Sequence, residues 1–280
     1  MSTGAGQGGT GHGATPGGPA TDGRPGAQVF GSPPARGDDN APHGAGPHGP
    51  GPVEGVPNRL YGRRRGHPLR PRQERLLEDA APRFSVDPAG LGNPPALFTK
   101  AVRDVWAEVG FGGGEHAETL ARANPDTGLI ASEVFENGIC ALLSRLMPDG
   151  EEATAPGLPN LRLWTRDARH LLSALPEGAL SRLYLMFPDP WPKARHSKRR
   201  FVHPAAIPLV ARVLRPGGEW RMASDHPIYQ SWVEEVFAAQ NLFEPVLDVW
   251  ERPEGWPPTR YEAKAHREGR HPRYWIWRRR

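Results

Sequence analysis

Short apolar runs alternate with amphipathic stretches from about residue 96 to the end of the chain, and this alternation constrains the fold more than any other feature. The apolar runs have the length of buried strands, and the amphipathic stretches have the period of helices that cover a sheet. Strands joined by helical crossovers form parallel sheets with helices on both faces. The sequence therefore predicts an α/β fold with a mostly parallel central sheet. Strands are predicted at residues 105–109, 128–132, 161–164, 183–187 and 219–223, and helices at residues 115–123, 137–146, 168–174, 204–213 and 227–239.

The first 57 residues differ from the rest in composition. They contain 17 Gly and 10 Pro with almost no aliphatic side chains, so they bury too little apolar surface to offset the entropy lost on ordering. We expect this tail, residues 1–57, to be disordered. A basic, weakly helical segment follows at residues 58–95, and the folded domain is predicted to cover residues 96–280.

Composition also excludes several classes of protein. The chain has no run of 18 or more apolar residues, so we expect no membrane span. Its N-terminus lacks the charged and apolar regions of a secretory signal, and its one cysteine, Cys140, lies in an apolar helical pattern with no disulfide partner. We therefore expect a cytoplasmic protein. The histidines show no metal-ligand spacing, so no metal site is predicted.

The net charge of +4 conceals three clusters of basic residues. Seven arginines lie within residues 59–75, five lysines or arginines within residues 193–200, and five arginines within residues 270–280. Such clusters suit a polyanionic partner better than a small acidic substrate. We expect residues 63–65 and 198–200 to neutralise phosphates of a nucleic acid. The sequence leaves a monomer and a homodimer both open.

A glycine-rich turn, EVGFGGG at residues 108–114, joins the first predicted strand to the first helix. Gly110, Gly112 and Gly114 permit a tight turn and let a ligand approach the backbone and the N-terminus of the following helix. A dinucleotide site is a rival interpretation, although the third position of a G-x-G-x-x-G pattern falls on Glu115. A flexible turn without a ligand is also left open.

Acidic residues stand near the ends of three predicted strands. Glu108 lies in the first strand and Glu133 closes the second, 25 residues later, where a carboxylate can accept both hydroxyls of a ribose. Asp167 follows the third strand, and a Leu-Arg-Pro-Gly-Gly turn at residues 214–218 precedes a later one. Solvated charges at the sheet edge are the simpler alternative, but the combined pattern favours an adenosine-binding site.

The segment LYLMFPDPWPKARHSKRR at residues 183–200 combines a predicted strand with a basic cluster. Pro188 and Pro190 lack amide donors and fix their own backbone, so the strand stops and Asp189 is held on a stiff loop. Trp191 offers a flat aromatic face, and the cations that follow can neutralise phosphates. We therefore expect this segment to bind a base of a nucleic acid.

Together these motifs resemble those of S-adenosylmethionine-dependent methyltransferases. The stretch at residues 187–200 is similar to the signature of the bacterial tRNA (guanine-N7)-methyltransferases, and TRYE at residues 259–262, with His266 and Gly269, resembles that family's C-terminal substrate motif. The resemblance covers about residues 59–277. It implies a Rossmann-like class I methyltransferase fold, S-adenosylmethionine as methyl donor, and methylation of N7 of guanine-46 in the variable loop of tRNA.

Carried over position by position, the resemblance assigns roles to single residues. Asp189 lies where donor and target base meet and is the expected catalytic residue. The chain departs from the family pattern at Arg260, where Lys is common, and at Pro192, where a polar or aromatic residue is common. The long N-terminal tail has no counterpart in the family. Expected donor-binding residues are Glu108, Gly110, Gly112, Gly114, Glu133, Asp167 and Asp189, and expected substrate-binding residues are Lys193, Asp225, Thr259, Arg260, Tyr261 and Glu262.

The expected chemistry needs alignment and no general base, because guanine N7 has an in-plane lone pair and no proton. We expect Asp189 to accept hydrogen bonds from the Watson–Crick edge of the base and to favour the cationic purine that forms. The nucleotide is expected to leave its stack if N7 is otherwise out of reach. A non-catalytic tRNA-binding protein on the same fold stays open, as does an oxidoreductase that uses the glycine turn for a dinucleotide.

Other prominent residues give weaker signals. His196 and His226 adjoin the expected site and are as compatible with exposed loop positions as with acid or base groups. Trp275 and Trp277 alternate with Tyr274 and Ile276. This pattern is more typical of an edge strand packed on the sheet than of a platform for stacked bases.

Overall fold

The computed structural model describes residues 61–280, and the tail at residues 1–57 lies outside the described residues. The strands are β1 Asp104–Val109, β2 Thr127–Ser132, β3 Leu161–Trp164, β4 Leu180–Met186, β5 Leu214–Ser224, β6 Phe243–Val249 and β7 Arg273–Arg279. The α-helices are α1 Pro71–Arg75, α2 Ala81–Phe84, α3 Glu115–Ala123, α4 Glu136–Leu146, α5 Ala168–Ala174, α6 Ala206–Val213, α7 Pro227–Ala238 and α8 Arg260–Arg267. A π-helical turn, Leu76–Ala80, joins α1 to α2, and a short 3-10 helix covers Ala194–Arg199.

In this part of the chain the strands form one sheet in the order β3-β2-β1-β4-β5-β7-β6. The strands from β3 to β5 in that order are parallel, and β7 runs antiparallel to both of its neighbours. The chain starts at β1, moves outward through β2 and β3, and then crosses to β4 on the other side of β1. This reversal leaves a crevice at the carboxyl end of β1, where ligands bind in open α/β sheets. The predicted α/β fold with a mostly parallel sheet is confirmed.

Helices cover both faces of the sheet. Helices α5, α6 and α7 pack on one face through side chains such as Leu171, Val210 and Val233. Helices α3 and α4 cover the other face together with the helical residues 71–84, where Leu76 is fully buried. The basic N-terminal segment therefore contributes apolar side chains to the core as well as charges to the surface. Among residues 61–280, no helix combines the length and apolarity needed to cross a bilayer.

Several details differ from the sequence prediction. Strand β4 ends one residue earlier, because Phe187 adopts a left-handed backbone with a φ angle of 50°. Strand β5 includes the Pro-Gly-Gly turn, which lies where its register with β4 shifts. Strand β6 was not predicted, since Pro245 and mixed polarity obscure its pattern. The edge position predicted for Trp275 and Trp277 is wrong, because β7 lies between β5 and β6.

Candidate active site

The loop after β1, residues 110–114, is the first part of the site and is called the glycine loop below. Gly110, Gly112 and Gly114 have φ angles of 72°, 58° and 78°, a left-handed backbone that other residues rarely adopt. Gly138 of α4 packs against this loop, because a Cβ atom added there would lie 2.2 Å from the Gly112 carbonyl oxygen. Beside Gly110 an added Cβ would meet no atom within 4 Å. The loop is thus fixed from one side and open to a ligand at Gly110.

Glu133 follows β2, and its carboxylate reaches the glycine loop. One oxygen accepts a hydrogen bond from the Gly112 amide at 2.8 Å, and the other accepts from the amides of Val134 and Phe135 at 2.7 Å and 3.0 Å. Burial raises the pKa of Glu133, the three N–H donors oppose that rise, and the charge of Asp189 adds to it. A carboxylate has about four acceptor positions. Glu133 therefore retains capacity for a hydroxyl group of a ligand.

Glu108 is almost fully buried in β1, two residues before Gly110 of the glycine loop. Its Oε2 lies 3.1 Å from Nδ1 of His116 in α3, and the two side chains are 1% and 4% exposed. His116 in turn packs edge-on against the ring of Tyr184 in β4. Glu108 thus lies beside an imidazole inside the protein, but its Oε2 and both ring nitrogens of His116 form no hydrogen bond among residues 61–280. The contact of Glu108 with a methyl donor stays a prediction.

Asp167 caps the N-terminus of α5. Its carboxylate accepts hydrogen bonds from the amide of Arg169 at 2.9 Å and from the guanidinium of the same residue, also at 2.9 Å. The indole of Trp164 donates to the Asp167 carbonyl at 2.9 Å. These contacts hold Asp167 at the carboxyl end of β3, which is where the prediction places a donor-binding acid. The donor contact itself stays a prediction.

Asp189 stands on the loop that follows β4, residues 187–191, which is called the Asp189 loop below. Its side chain is exposed and has no hydrogen-bonding partner among residues 61–280. Its charge nevertheless acts on Glu133, whose pKa it helps to raise. Strands β2 and β4 flank β1 and run parallel to it, so Glu133 and Asp189 lie at the same edge of the sheet, on either side of the carboxyl end of β1. The crevice at this place is called the opening below. The structure brings together the catalytic residue and one donor-binding residue predicted from the sequence.

Trp191 does not offer the free aromatic face that the sequence suggested. The guanidinium of Arg199 lies over its ring at 4.8 Å, and His196 packs against the ring edge-on. Arg199 also lies over the ring of Tyr61 at 5.1 Å, so two aromatic residues hold this cation. A base can stack on that face of Trp191 only if Arg199 is displaced. Desolvation and the neighbouring cations lower the pKa of His196, which favours its neutral ring.

The basic cluster that follows the Asp189 loop divides into exposed and buried members. Lys193, Arg195 and Lys198 are exposed and available to a polyanion. Arg200 is only 6% exposed, and its guanidinium donates hydrogen bonds to main-chain carbonyls. The expectation that Arg200 neutralises a phosphate is therefore wrong.

Residues 61–67 lie along the first turn of α4. The amide of Glu136 donates to the Arg64 carbonyl at 2.8 Å, and the guanidinium of Arg65 pairs with the Glu136 carboxylate at 3.2 Å. Asn137 forms two further hydrogen bonds with this segment. The segment therefore brings part of the N-terminal basic cluster close to the donor side of the opening.

Asp225 immediately follows β5 and is half-buried. Its carboxylate accepts a hydrogen bond from Nε of Arg270 at 2.7 Å. Hydrogen bonds to Asp225 and Glu268 raise the pKa of Arg270. A substrate group that binds Asp225 has to share this carboxylate with Arg270. The substrate contact stays a prediction.

Thr259 and Glu262 form a capping box at the start of α8. The Glu262 amide donates to Oγ1 of Thr259 at 3.0 Å, and the Glu262 carboxylate accepts from the Thr259 amide at 3.5 Å and from Arg252 at 3.0 Å. A helix cap of this kind typically contributes about 1 kcal/mol. These two predicted substrate residues therefore stabilise the first turn of α8 in the free protein.

Arg260 and Tyr261, on that first turn, lie over the glycine loop. A Cβ atom added at Gly112 would lie 3.0 Å from the Tyr261 hydroxyl, and one added at Gly113 would lie 2.9 Å from the guanidinium carbon of Arg260. The ring of Tyr261 also stacks on Phe187 with centroids 6.4 Å apart. The predicted substrate segment thus contacts both the glycine loop and the Asp189 loop.

Three residues that shape the site were missed in the sequence. His116 lies beside Glu108, and Arg145 donates to the Gly113 carbonyl at 2.6 Å, but neither residue has a local signal. Gly138 did have one, because an isolated glycine in a helical pattern indicates a close backbone approach. Within residues 61–280 no group of three or more His, Cys, Asp or Glu side chains is arranged to hold a metal ion.

Comparisons with known proteins point to one family. A family model described as a putative methyltransferase matches residues 102–273. The tRNA (guanine-N(7)-)-methyltransferase of Granulibacter bethesdensis is 58% identical over 229 residues, which are 81% of this chain and 98% of that protein. The proteins of the same name from Paramagnetospirillum magneticum and Rhodospirillum rubrum are 47% and 46% identical, each over 79% of this chain and over 93% and 88% of their own length. The region matched by the family model contains the glycine loop, the Asp189 loop and the start of α8.

Proposed function

The chain belongs to the tRNA (guanine-N(7)-)-methyltransferase family, and we propose that it transfers a methyl group from S-adenosylmethionine to N7 of a guanosine in tRNA. The observation that carries the proposal is the position of Glu133 and Asp189 on either side of the opening, because β2 and β4 flank β1 and run parallel to it. The finer assignment to guanine-46 of the variable loop rests on the family resemblance. The cytoplasmic location that we infer rests on tRNA as the substrate.

The residues around the glycine loop fit the methyl donor. Glu133 keeps acceptor capacity for a ribose hydroxyl after binding three main-chain amides. The glycine loop leaves open space at Gly110, so a ligand can approach the backbone before α3 begins. Asp167 is held at the end of the neighbouring β3, where it can line the same crevice.

Alignment of the reacting atoms is the main task of the protein in this reaction. S-adenosylmethionine supplies an electrophilic methyl group on a positively charged sulfur. Asp189 would orient the guanine by accepting hydrogen bonds from its Watson–Crick edge, and its negative charge would stabilise the cationic purine. No proton has to be removed from N7, so the free acceptor capacity of Asp189 is used for orientation. Tyr261 and Arg260 would close over the glycine loop from the substrate side.

A direct test is incubation of the protein with labelled S-adenosylmethionine and unmodified tRNA, followed by nucleoside analysis for 7-methylguanosine. Product at N7 of guanosine supports the proposal. Binding of both ligands without product would favour a non-catalytic tRNA-binding protein. Binding of a dinucleotide in preference to S-adenosylmethionine would favour an oxidoreductase.

Donor affinity should fall as the pH is lowered through the raised pKa of Glu133. Burial raises this pKa above 4.5, and a protonated carboxyl loses acceptor positions that a ribose hydroxyl needs. Because the folded pKa is raised, the contribution of this group to folding stability is full below its unfolded pKa and is lost as the pH rises through the folded pKa. Calorimetric titration with the donor between about pH 8 and pH 5 measures the effect on binding. If Glu133→Gln shows the same fall in donor affinity at low pH, a group other than Glu133 causes the pH dependence.

Exposed cations should contribute to tRNA affinity through counterion release. Replacing Arg63 or Lys198 by Gln is expected to weaken tRNA binding for all sequences and to lower the salt slope by about 0.7 to 0.9 for each phosphate that is no longer neutralised. Donor affinity should not change. The matched control is Lys100→Gln, because Lys100 pairs with Asp126 at the amino end of the strands and should leave the slope unchanged.

Deletion of residues 1–57 is a second control in the same measurement. This tail carries few charges, so both the salt slope and turnover should stay nearly the same. A steep loss of tRNA affinity after the deletion, without any change in Arg63→Gln and Lys198→Gln, would place the RNA-binding surface in the tail.

A further inference from the structure

The backbone of the Asp189 loop has an unusual conformation at both ends. Phe187 and Trp191 have φ angles of 50° and 41°, and they are the non-glycine residues with positive φ among residues 61–280. Bulky side chains rarely adopt this left-handed backbone, and it persists only where surrounding contacts enforce it. Pro188 and Pro190 stiffen the chain between these residues. Something outside the loop therefore has to hold it in place.

Arg200 supplies such a contact at the Trp191 end of the loop. Its Nε donates a hydrogen bond to the Pro190 carbonyl at 3.0 Å, and its Nη2 donates to the Trp191 carbonyl at 3.0 Å. The guanidinium also lies over the ring of Trp232 at 4.9 Å. The Trp232 indole is itself fixed by a hydrogen bond of 2.6 Å to the Val202 carbonyl. The planar guanidinium is thus held on one face and bonded to the loop at its edge.

The charge of Arg200 is not paired directly with a carboxylate, although the charge of Glu235 acts on it. Among residues 61–280 no carboxylate forms an ion pair with its guanidinium, although the side chain is buried. Burial lowers its pKa, which reflects the cost of keeping a cation there. The charges of Arg200 and Asp189 both act on the buried hydroxyl of Tyr229. Arg200 therefore bonds to the main chain of the Asp189 loop and is too buried to reach a phosphate.

We propose that Arg200 is a positioning residue for methyl transfer, because it fixes the Asp189 loop in the conformation that aims Asp189 at the opening shared with Glu133. The proposal rests on the proposed function of Asp189 in methylation. A misplacement of about 1 Å at a reacting group can cost about 100-fold in rate. Two hydrogen bonds from one rigid guanidinium control both the position and the tilt of the loop, which a lysine ammonium cannot reproduce.

The test compares wild type with Arg200→Lys in single-turnover methylation at saturating donor and tRNA. The variant should lose about 10- to 100-fold in rate. The dissociation constants for donor and tRNA and the salt slope should change by less than about twofold, because the side chain of Arg200 is buried. Arg212→Lys is the matched control, since Arg212 also donates to main-chain carbonyls, those of Leu175, Leu172 and Ser173, remote from the Asp189 loop. Arg212→Lys should change the melting temperature at most and leave the single-turnover rate as in wild type.

A double-variant cycle separates positioning from general support of the fold. If Arg200 acts through Asp189, adding Arg200→Lys to Asp189→Asn should cause little further loss of rate. Losses that multiply would overturn the proposal, and so would an Arg200→Lys variant with reduced salt slope and a normal rate. If Arg200→Lys fails to fold, Trp232→Leu removes the aromatic support of the same guanidinium and should show a smaller loss of the same kind. A normal rate in that variant would also overturn the proposal.

The rate of wild type separates the role of Arg200 from the proposed function. If wild type forms no 7-methylguanosine, the proposed function and the role of Arg200 are both wrong. If wild type forms it and Arg200→Lys does so at the same rate, only the role of Arg200 is wrong.

Discussion

Asp189→Asn is expected to fold, to bind S-adenosylmethionine, and to lose most of its turnover. The exposed carboxylate has no hydrogen-bonding partner among residues 61–280, so the fold does not depend on its charge. The amide keeps the shape of the side chain but puts a donor where the guanine Watson–Crick edge presents its own donors, and it removes the negative charge that stabilises the cationic purine. The expected loss in single-turnover rate is about 100- to 1,000-fold, the usual effect of losing one electrostatic stabiliser of a transition state.

The measurement needs saturating tRNA, so that a change in rate is not a change in binding. Asp126→Asn is the surface control, because this exposed carboxylate pairs with Lys100 at the opposite edge of the sheet. Its rate should equal that of wild type. An Asp189→Asn rate within a few fold of wild type would make Asp189 a structural turn residue.

Local signals in the sequence predicted the parts of the site that depend on strand ends. The apolar runs located β1, β2 and β4 within a few residues, and parallel strands bring their carboxyl ends to one edge. Glu133 and Asp189, which follow predicted strands, were therefore expected at one edge of the sheet, and the structure places them after β2 and β4, on either side of β1. Pro188 and Pro190 also predicted a stiff loop from the local sequence alone, because each proline fixes its own backbone.

Contacts between distant residues could not be predicted in the same way. Lys198 and Arg200 are separated by one residue and look alike in sequence, but one is exposed and the other is buried against Trp232. That difference depends on where the 3-10 helix Ala194–Arg199 ends and on the packing of α7, which no local pattern encodes. The insertion of β7 between β5 and β6 is a pairing of the same non-local kind.

The T-x-x-E motif at residues 259–262 shows how one pattern can carry two meanings. As a local signal it is a capping box, and the structure shows Thr259 and Glu262 in that arrangement. As a family motif it implies substrate contacts. The two roles are compatible, because the cap fixes the first turn of α8, from which Arg260 and Tyr261 extend over the glycine loop.

Replacing Glu133 should have the second largest effect, on donor binding. Glu133→Ala is expected to weaken S-adenosylmethionine binding by about 1.5 to 3 kcal/mol, which is the usual contribution of hydrogen bonds to a charged acceptor. The alanine variant also leaves the amides of Gly112, Val134 and Phe135 without their acceptor, so the glycine loop can shift. Its loss therefore combines a missing ligand contact with a displaced loop.

Glu133→Gln separates these two contributions. Glutamine keeps one acceptor oxygen but turns an amide NH₂ toward either Gly112 or the amides of residues 134 and 135, so the loop keeps part of its support while the ribose loses an ionised acceptor. We expect its donor affinity, measured by calorimetry, to lie between those of wild type and Glu133→Ala, with tRNA affinity unchanged. The matched control is Glu136→Gln, because Glu136 pairs only with Arg65 among the described ion pairs and should bind donor normally. Donor affinities of Glu133→Gln and Glu133→Ala that both equal wild type would show that the ribose is held elsewhere. Equal losses in Glu133→Gln and Glu136→Gln would point instead to the negative charge of the whole region, since only a specific acceptor at residue 133 separates the two variants.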